Sequence, residues 1–360
     1  RWKKPSASAA PANGEPMQNK KIFNIFGDDS LQHRQIIGGN VTNLFNLNNV
    51  KYQWANKLYR VMMENFWIPE KVSLFDDKRC YAELSPEERN TYDGILSFLV
   101  FLDSIQTNNL PNISQYITAP ELNLVLSIQT YQEAVHSQSY AYIIESIVPA
   151  EKRNDIYEKW RQDSVLLERN QYIAGIYQKF LDERTEHNFA RVLVANFLLE
   201  GIYFYNGFNF FYNLASRGLM IGTADEIKYI NRDELVHCVL FARMIKEIWN
   251  DRPDFFNKDE VYEMFAAAAA QEMAWSNHII GDHIVGINRE STEKYTKFIT
   301  NQRLKEIGLN PIFAGFEQNP YPHLEKIADT NGDGSVKSNF FEANVSSYNQ
   351  SSAVEGWDDI

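Results

Sequence analysis

Hydrophobic positions between about residues 42 and 315 recur at helical spacing, and prolines divide this region into segments of helical length. Ser85, followed by Pro86 and two glutamates, predicts a capped helix start, and Ala119-Pro120-Glu121 predicts another. Little of the chain alternates with the period of two that strands require. The pattern therefore predicts helices over roughly 42–66, 86–107, 120–147, 151–183, 187–216, 224–250, 258–285 and 290–306.

Two of these segments, Ile95–Leu102 and Val192–Phe211, are apolar on almost every face. A helix that is apolar all round is normally buried. Several amphipathic helices surrounding two buried ones form a bundle with a thick core. We therefore expect an all-α fold, a helical bundle with additional helices.

Composition narrows the classes of function. The formal net charge of −12 argues against general binding to the phosphate backbone of nucleic acids. No apolar run reaches the length of a membrane span, and the basic N-terminus lacks the apolar stretch of a signal peptide. With only two cysteines, the chain fits a reducing compartment. We expect a cytoplasmic protein with no nucleic-acid partner and no membrane contact.

The two ends differ in composition from the helical region. Residues 1–24 are expected to be a flexible tether, rich in Ala, Pro, Ser and Asn near its start. The chain starts at Arg1, so this tether is either a native N-terminus or a linker from an upstream domain. Residues 25–320 are expected to form the main domain. Residues 321–360 are expected to be a mobile tail, unusual in carrying Tyr348, Trp357 and Ile360.

Each of the two apolar segments is associated with a single acid. Asp103 directly follows Ile95–Leu102, and Glu200 lies inside Val192–Phe211. An isolated carboxylate in an apolar interior costs many kcal/mol unless it is paired or neutralised. Both acids therefore require partners.

Suitable partners follow each acid on the next helix. They are the Glu-x-x-His pairs Glu133/His136 and Glu234/His237. Spacing of i, i+3 places Glu and His on one helix face. An acid followed by Glu-x-x-His, present twice, matches the known ligand arrangement of ferritin-like di-iron and dimanganese proteins, with Asp instead of Glu as the first acid. We therefore expect a dinuclear metal centre.

Charge supports two metal ions, because four carboxylates balance two divalent cations. An oxygen-rich ligand set with one imidazole per ion suits iron or manganese, and ligand type leaves that choice open.

A run beginning at Asp329 resembles a calcium-binding loop, but Phe340 stands where a bidentate Glu is required, so we interpret it as a linker. The other histidines have no comparable acidic partners and are expected to be structural: His33, His187, His278, His283 and His323.

With these motifs the chain resembles the small, radical-generating subunit of class I ribonucleotide reductase, a ferritin-like family. The resemblance covers about residues 25–360. It rests on the segments Phe66–Glu70, Leu102–Gln106, Glu133–Tyr140, Asn231–His237 and Phe341–Tyr348.

The resemblance implies roles at the metal centre. One ion would be bound by Asp103, Glu133 and His136, and the other by Glu200, Glu234 and His237, with some glutamates bridging. Tyr140, one turn after His136, matches the radical tyrosine, and some relatives keep the oxidant on the metals instead. The apolar pocket around the radical matches Phe204, Phe208 and Ile230.

The resemblance also implies a path away from the centre. Trp67 and Asp233 match its first members, and Tyr348 on the tail would carry the oxidising equivalent to a large subunit, with help from Glu342. Trp357–Ile360 would anchor the tail to that subunit. The chain would form a homodimer and have no nucleotide site of its own.

The expected function is a ribonucleoside-diphosphate reductase subunit, active only with the large subunit. Oxygen, or superoxide if the metals are manganese, would activate the centre. Two alternatives remain open at this point. One is a ferritin-like oxidase or oxygenase with its own substrate, which would need no relay tail. The other is an iron-storage protein, which would need a cage-forming oligomer.

Overall fold

The structure, a computed structural model, describes residues 16–328. Within that range the regular elements are helical, and the only β-type pairings are isolated bridges at Pro16–Thr185 and Ile37–Ile117. The all-α prediction is confirmed. The α-helices are α1 Gln53–Glu64, α2 Phe75–Glu83, α3 Pro86–Ser114, α4 Pro120–Ile147, α5 Ala150–Gln162, α6 Ser164–Asp182, α7 Glu186–Leu198, α8 Tyr205–Ser216, α9 Ile221–Asp251, α10 Lys258–Ile279, α11 Arg289–Glu306 and α12 Pro322–Ala328, with a 3₁₀ turn at Pro69–Lys71 and a π-helical segment at Leu199–Tyr203.

Four helices form the centre of the bundle. Helix α3 packs against α4, α4 against α9, α9 against α7, and α7 against α3. The facing sides of this ring are buried and largely apolar, as expected for a four-helix core. Among residues 16–328, no helix combines the length and the apolar character that a membrane span requires.

Helix α3 starts as predicted and ends later than predicted. The Ser85 hydroxyl accepts the Glu88 amide at 3.1 Å, and the Glu88 carboxylate accepts the Ser85 amide at 3.1 Å, so a capping box is present. The helix then continues past the predicted end at residue 107 and through Pro111. The single hydrogen bond lost at Pro111 is offset by burial of the flanking side chains, because Leu110 before it and Ile113 after it are completely buried.

The predicted helix over 151–183 is two helices, α5 and α6. Asp163 separates them: its Oδ1 accepts the amides of Val165 and Leu166 at 3.0 and 3.2 Å and caps α6. Its Oδ2 pairs at 2.7 Å with His278 on α10. The break thus combines a local cap with a tertiary pair, and residue spacing does not reveal the pair.

Several boundaries differ from the sequence expectation. Helix α1 begins at residue 53 instead of 42, the predicted helix over 187–216 contains the π segment, and α2 was not predicted. Helix α12 lies in the segment assigned to the tail, where Tyr321 and Leu324 are buried. Met17, in the segment assigned to the tether, donates its amide to the Arg184 carbonyl at 2.7 Å. The domain boundaries at 24 and 320 stay predictions.

Replacing the cap of α3 gives a direct test of its contribution. We expect Ser85→Ala to lower the free energy of unfolding by about 1 kcal/mol, because the Glu88 amide loses its acceptor. Urea unfolding of the apo-protein measures this difference. Ser164→Ala, at an exposed position, is the matched control and should change stability by less than about 0.5 kcal/mol. Equal stability of the two variants would contradict the assignment.

Candidate metal centre

The six predicted ligands all project into the interior of the α3–α4–α7–α9 ring. Asp103 comes from α3, and Glu200 from the π segment that follows α7. Helices α4 and α9 each contribute one Glu-x-x-His pair. All six side chains are fully buried: Asp103, Glu133, His136, Glu200, Glu234 and His237. The structure therefore brings together residues that span more than 130 positions of sequence.

A first group of ligand atoms surrounds the His136 imidazole. Its Nδ1 lies 3.0 Å from Glu234 Oε1, 3.5 Å from Glu133 Oε2 and 3.9 Å from Asp103 Oδ2. One ligand atom from each of these four residues lies within 4.8 Å of all the others. That spacing can accommodate one metal ion.

A second group surrounds the His237 imidazole. Its Nδ1 lies 2.9 Å from Glu234 Oε2, 3.2 Å from Glu133 Oε1 and 3.5 Å from Glu200 Oε2. These four residues also satisfy the 4.8 Å spacing. Glu133 and Glu234 belong to both groups through different oxygens, so the arrangement offers two adjacent ion positions that share two carboxylates.

Unpaired polar atoms show that these residues fit metal ions. Buried polar atoms are normally hydrogen-bonded. Here a set of buried atoms at the centre of the ring has no hydrogen-bond partner: both carboxylate oxygens of Asp103, Glu133 Oε2, Glu200 Oε2, Glu234 Oε1 and His136 Nδ1. Close spacing without hydrogen bonds is the condition expected of atoms that coordinate a cation.

The electrostatics lead to the same conclusion. Burial raises the pKa of Asp103 well above its usual range, and the nearby Glu133 and Glu234 carboxylates raise it further. Burial and the same two neighbours raise the pKa of Glu200 well above its usual range. So much negative charge in an apolar interior demands protons or cations, and divalent metal ions would supply the compensation.

Side-chain amides around the ligands were missed by the sequence reasoning. Gln132 Oε1 lies 2.9 Å from His237 Nε2, and Gln129 donates to Glu200 Oε1 at 2.8 Å. Gln106 also donates to Glu200. The signal that could have identified Gln129 is its position one turn before the ligand Glu133, on the same face of an otherwise apolar helix.

Asp233 joins the first ligand group to an indole. Its Oδ2 accepts the Trp67 Nε1–H at 3.0 Å and lies 3.2 Å from His136 Nε2. Its Oδ1 accepts from Arg232 at 3.1 Å. The Trp67 ring stacks on Tyr229 with a centroid separation of 5.1 Å. The residues predicted to begin the outward path are thus in continuous contact with the His136 imidazole.

Tyr140 is fully buried in α4, one turn beyond His136. Burial raises its pKa well above the usual range, and the neighbouring Asp103 carboxylate adds to the effect. The side chains predicted for its apolar pocket, Phe204, Phe208 and Ile230, are also buried, and the two phenylalanine rings stack at 5.5 Å. A phenol in this setting is protected from solvent.

The remaining expected features lie elsewhere. Tyr348, Glu342, Trp357–Ile360 and the calcium-like run from Asp329 to Phe340 fall outside the described residues. His187 and His278 each pair with an acid, Glu260 and Asp163, near the surface. In the part of the chain that the structure describes, the two groups above are the clusters of three or more potential ligands.

Comparison with known proteins supports the same family. The family model "Ribonucleotide reductase, small chain" matches residues 44–320. A ribonucleoside-diphosphate reductase subunit beta from Treponema pallidum is 44% identical over 94% of this chain and 97% of its own length. The corresponding subunit from Halalkalibacterium halodurans is 36% identical over 96% of this chain and 100% of its own length.

A solved structure agrees in fold as well as sequence. The ribonucleotide reductase R2 subunit from Clostridium botulinum superposes with a TM-score of 0.85 and 45% identity, covering 88% of this chain and all of that one. Likeness of this extent over nearly the whole chain, together with the buried ligand set, leaves one conclusion: the chain belongs to the small-chain family of ribonucleotide reductase.

Proposed function

We propose that this chain is the radical-generating subunit of a ribonucleoside-diphosphate reductase. The observation that carries the proposal is the pair of overlapping, fully buried ligand groups that share Glu133 and Glu234. When bound there, a dinuclear metal centre supplies oxidising power, which is stored in this chain and passed to a large catalytic subunit. That subunit reduces ribonucleotides to deoxyribonucleotides.

The ligand roles follow from the two groups. Asp103 and His136 belong to the first ion position, and Glu200 and His237 to the second. The shared glutamates would hold both ions, since each presents one oxygen to each group. Iron and manganese both suit a ligand set of carboxylates with one imidazole per ion, and oxygen or superoxide is the corresponding activator.

Removal of a ligand should release metal. We expect Glu133→Ala or His237→Ala to lose much of the two equivalents bound by the parent protein, since each removes an inner ligand. Elemental analysis after loading with Fe²⁺ or Mn²⁺ measures the loss. Glu121→Ala is the matched control, because it removes a buried carboxylate from the same helix α4 outside the site. Two ions retained in both ligand variants would show that the ligands are wrong.

Tyr140 is proposed to store the oxidising equivalent. One-electron oxidation of a phenol releases its proton, and the Asp103 carboxylate beside the hydroxyl is the available acceptor. The phenol is itself fully buried, which keeps water and soluble reductants away from it. The contacts support a stored radical that survives until a partner is present.

The outward path is proposed to run through Asp233, Trp67 and then Tyr348. The hydrogen bonds from His136 and from the indole to Asp233 Oδ2 support the first part. Tyr348 would continue the path to the large subunit, and Trp357–Ile360 would hold the tail on that subunit.

The tail hypothesis has a direct test. Truncation after Ser338 should abolish ribonucleotide reduction with the large subunit while leaving both metal ions bound. Full-length Tyr348→Phe is the matched control: it should bind the large subunit normally and still fail to turn over, because it lacks the relay phenol but keeps the anchor. Turnover assays and a binding measurement separate the two steps. Full activity of the truncated chain would exclude the radical-relay function.

We also propose a homodimer in the cytoplasm. Large apolar side chains between residues 22 and 47 are strongly exposed, among them Phe23 at 83% and Phe26 at 84%. Exposed apolar surface of this kind supports a protein–protein contact. Both cysteines, Cys80 and Cys238, are free thiols, consistent with a reducing compartment.

The metals and the location of the oxidant can be determined in one experiment. Electron paramagnetic resonance of the activated protein should give a sharp organic radical signal if iron oxidises Tyr140, and a multiline signal if the equivalent stays on manganese. Tyr140→Phe should eliminate the first signal and leave the second unchanged. A sharp radical that persists in Tyr140→Phe would contradict the proposed role of Tyr140.

A further inference from the structure

The π-helical segment Leu199–Tyr203 has contacts that the metal site alone does not explain. It connects α7 to α8, is completely buried and carries Glu200. At the start of the segment, the Leu199 amide donates to the carbonyls of both Ala195 and Asn196. π-Helical turns are rare and are less favourable than α-helix, so a persistent one needs support from outside the helix.

Arg303 on α11 supplies one such contact. Its Nε donates to the Gly201 carbonyl at 2.9 Å, and its side chain is only 4% exposed. The guanidinium pairs with Glu306 at 2.6 Å and lies over the Tyr205 ring at 5.1 Å. A charged donor thus satisfies a backbone carbonyl in the middle of the π segment.

Arg169 on α6 supplies a second contact from another side. Its Nη2 donates to the Tyr203 carbonyl at 2.8 Å, at the end of the segment. The same guanidinium pairs with Glu272 at 2.5 Å and stacks over the Phe98 ring at 3.7 Å. Asn206 donates to Glu272 at 3.0 Å, which fixes the partner carboxylate.

Gly201 is the residue that allows Arg303 to approach. A Cβ at position 201 would lie 2.9 Å from both Cδ and Nε of Arg303. Glycine weakens a helix interior relative to alanine. The missing side chain is therefore explained by the close approach of the arginine to the backbone.

We propose that Arg303 and Arg169 are positioning residues that hold Leu199–Tyr203 in its π-helical register and so keep Glu200 directed at the second ion position. The inference rests on the proposed function, because it takes Glu200 to be a metal ligand. Relaxation of the segment to α-helix would shift the register by one residue. Each residue of an α-helix turns the side-chain direction by about 100°, so Glu200 would leave the ligand group.

Hydrogen exchange of the full-length apo-protein tests, in the absence of metal, whether the two arginines hold the π-helical segment. We expect Arg303→Gln to accelerate exchange of the amides in residues 199–208 by about tenfold or more, since a charged hydrogen bond to the backbone is lost. Arg34→Gln is the matched control. Arg34 is 2% exposed and pairs with Glu121, but it hydrogen-bonds to Asp29 and Asn49 and not to the π segment. In the Arg34→Gln variant, the amides of residues 199–208 should exchange at the rate of the parent protein.

A second variant disrupts the hydrogen bond between Arg303 and the Gly201 carbonyl without removing a charge. Gly201→Ala keeps both arginines but displaces Arg303 from the carbonyl, so it should also accelerate exchange over 199–208. Arg303→Lys retains one donor and should give an intermediate rate. If the amides of residues 199–208 exchange in Arg303→Gln and Gly201→Ala at the rate seen in Arg34→Gln, then Arg303 does not hold the π-helical segment.

Titration with Mn²⁺ tests the consequence for the ligand. Arg303→Gln should lower the affinity for one of the two Mn²⁺ ions by about tenfold or more and leave the affinity for the other unchanged. Unchanged affinity for both ions, despite faster exchange, would overturn the positioning role. The Glu200→Gln variant separates this outcome from failure of the proposed function. If it still binds both ions with the affinity of the parent, Glu200 is not a ligand. The conclusion from hydrogen exchange would be unaffected by that result.

Discussion

Four carboxylates and two imidazoles in the interior of a helical bundle are the constraint on which the rest of this structure depends. No solvent reaches them, and several of their atoms have no hydrogen-bond partner. The raised pKa values of Asp103 and Glu200 reflect the cost of holding this charge without cations. Two divalent ions would remove that cost, and their binding would then be linked to folding of the ring.

Groups outside the ligand set fix where the ligands point. The Gln132 amide holds the far nitrogen of His237, and Asp233 holds that of His136. Asp233 also accepts the Trp67 indole N–H, so one carboxylate contacts both the His136 imidazole and the indole that we propose for the outward path. His136, Asp233 and Trp67 therefore form one hydrogen-bonded chain.

The clustering of the six candidate ligands could be predicted because its signal is local. A lone acid in an apolar helix must be paired, and Glu-x-x-His presents two ligands on one face whatever the helix packs against. The break at Asp163 and the continuation of α3 through Pro111 could not be predicted in this way. Each is accompanied by a contact or by burial in the folded core: Asp163 pairs with His278 on α10, and Leu110 and Ile113 are completely buried.

The amino-acid pattern by itself determined the all-α class, the duplicated ligand motif and the position of Tyr140 beside it, because helical periodicity relates residues three or four apart. Only the tertiary structure decided that Glu133 and Glu234 belong to both groups of potential ligands, and that Glu200 lies on a π-helical segment hydrogen-bonded to two buried arginines. Those features depend on distances between helices, and no rule of spacing along one helix contains that information.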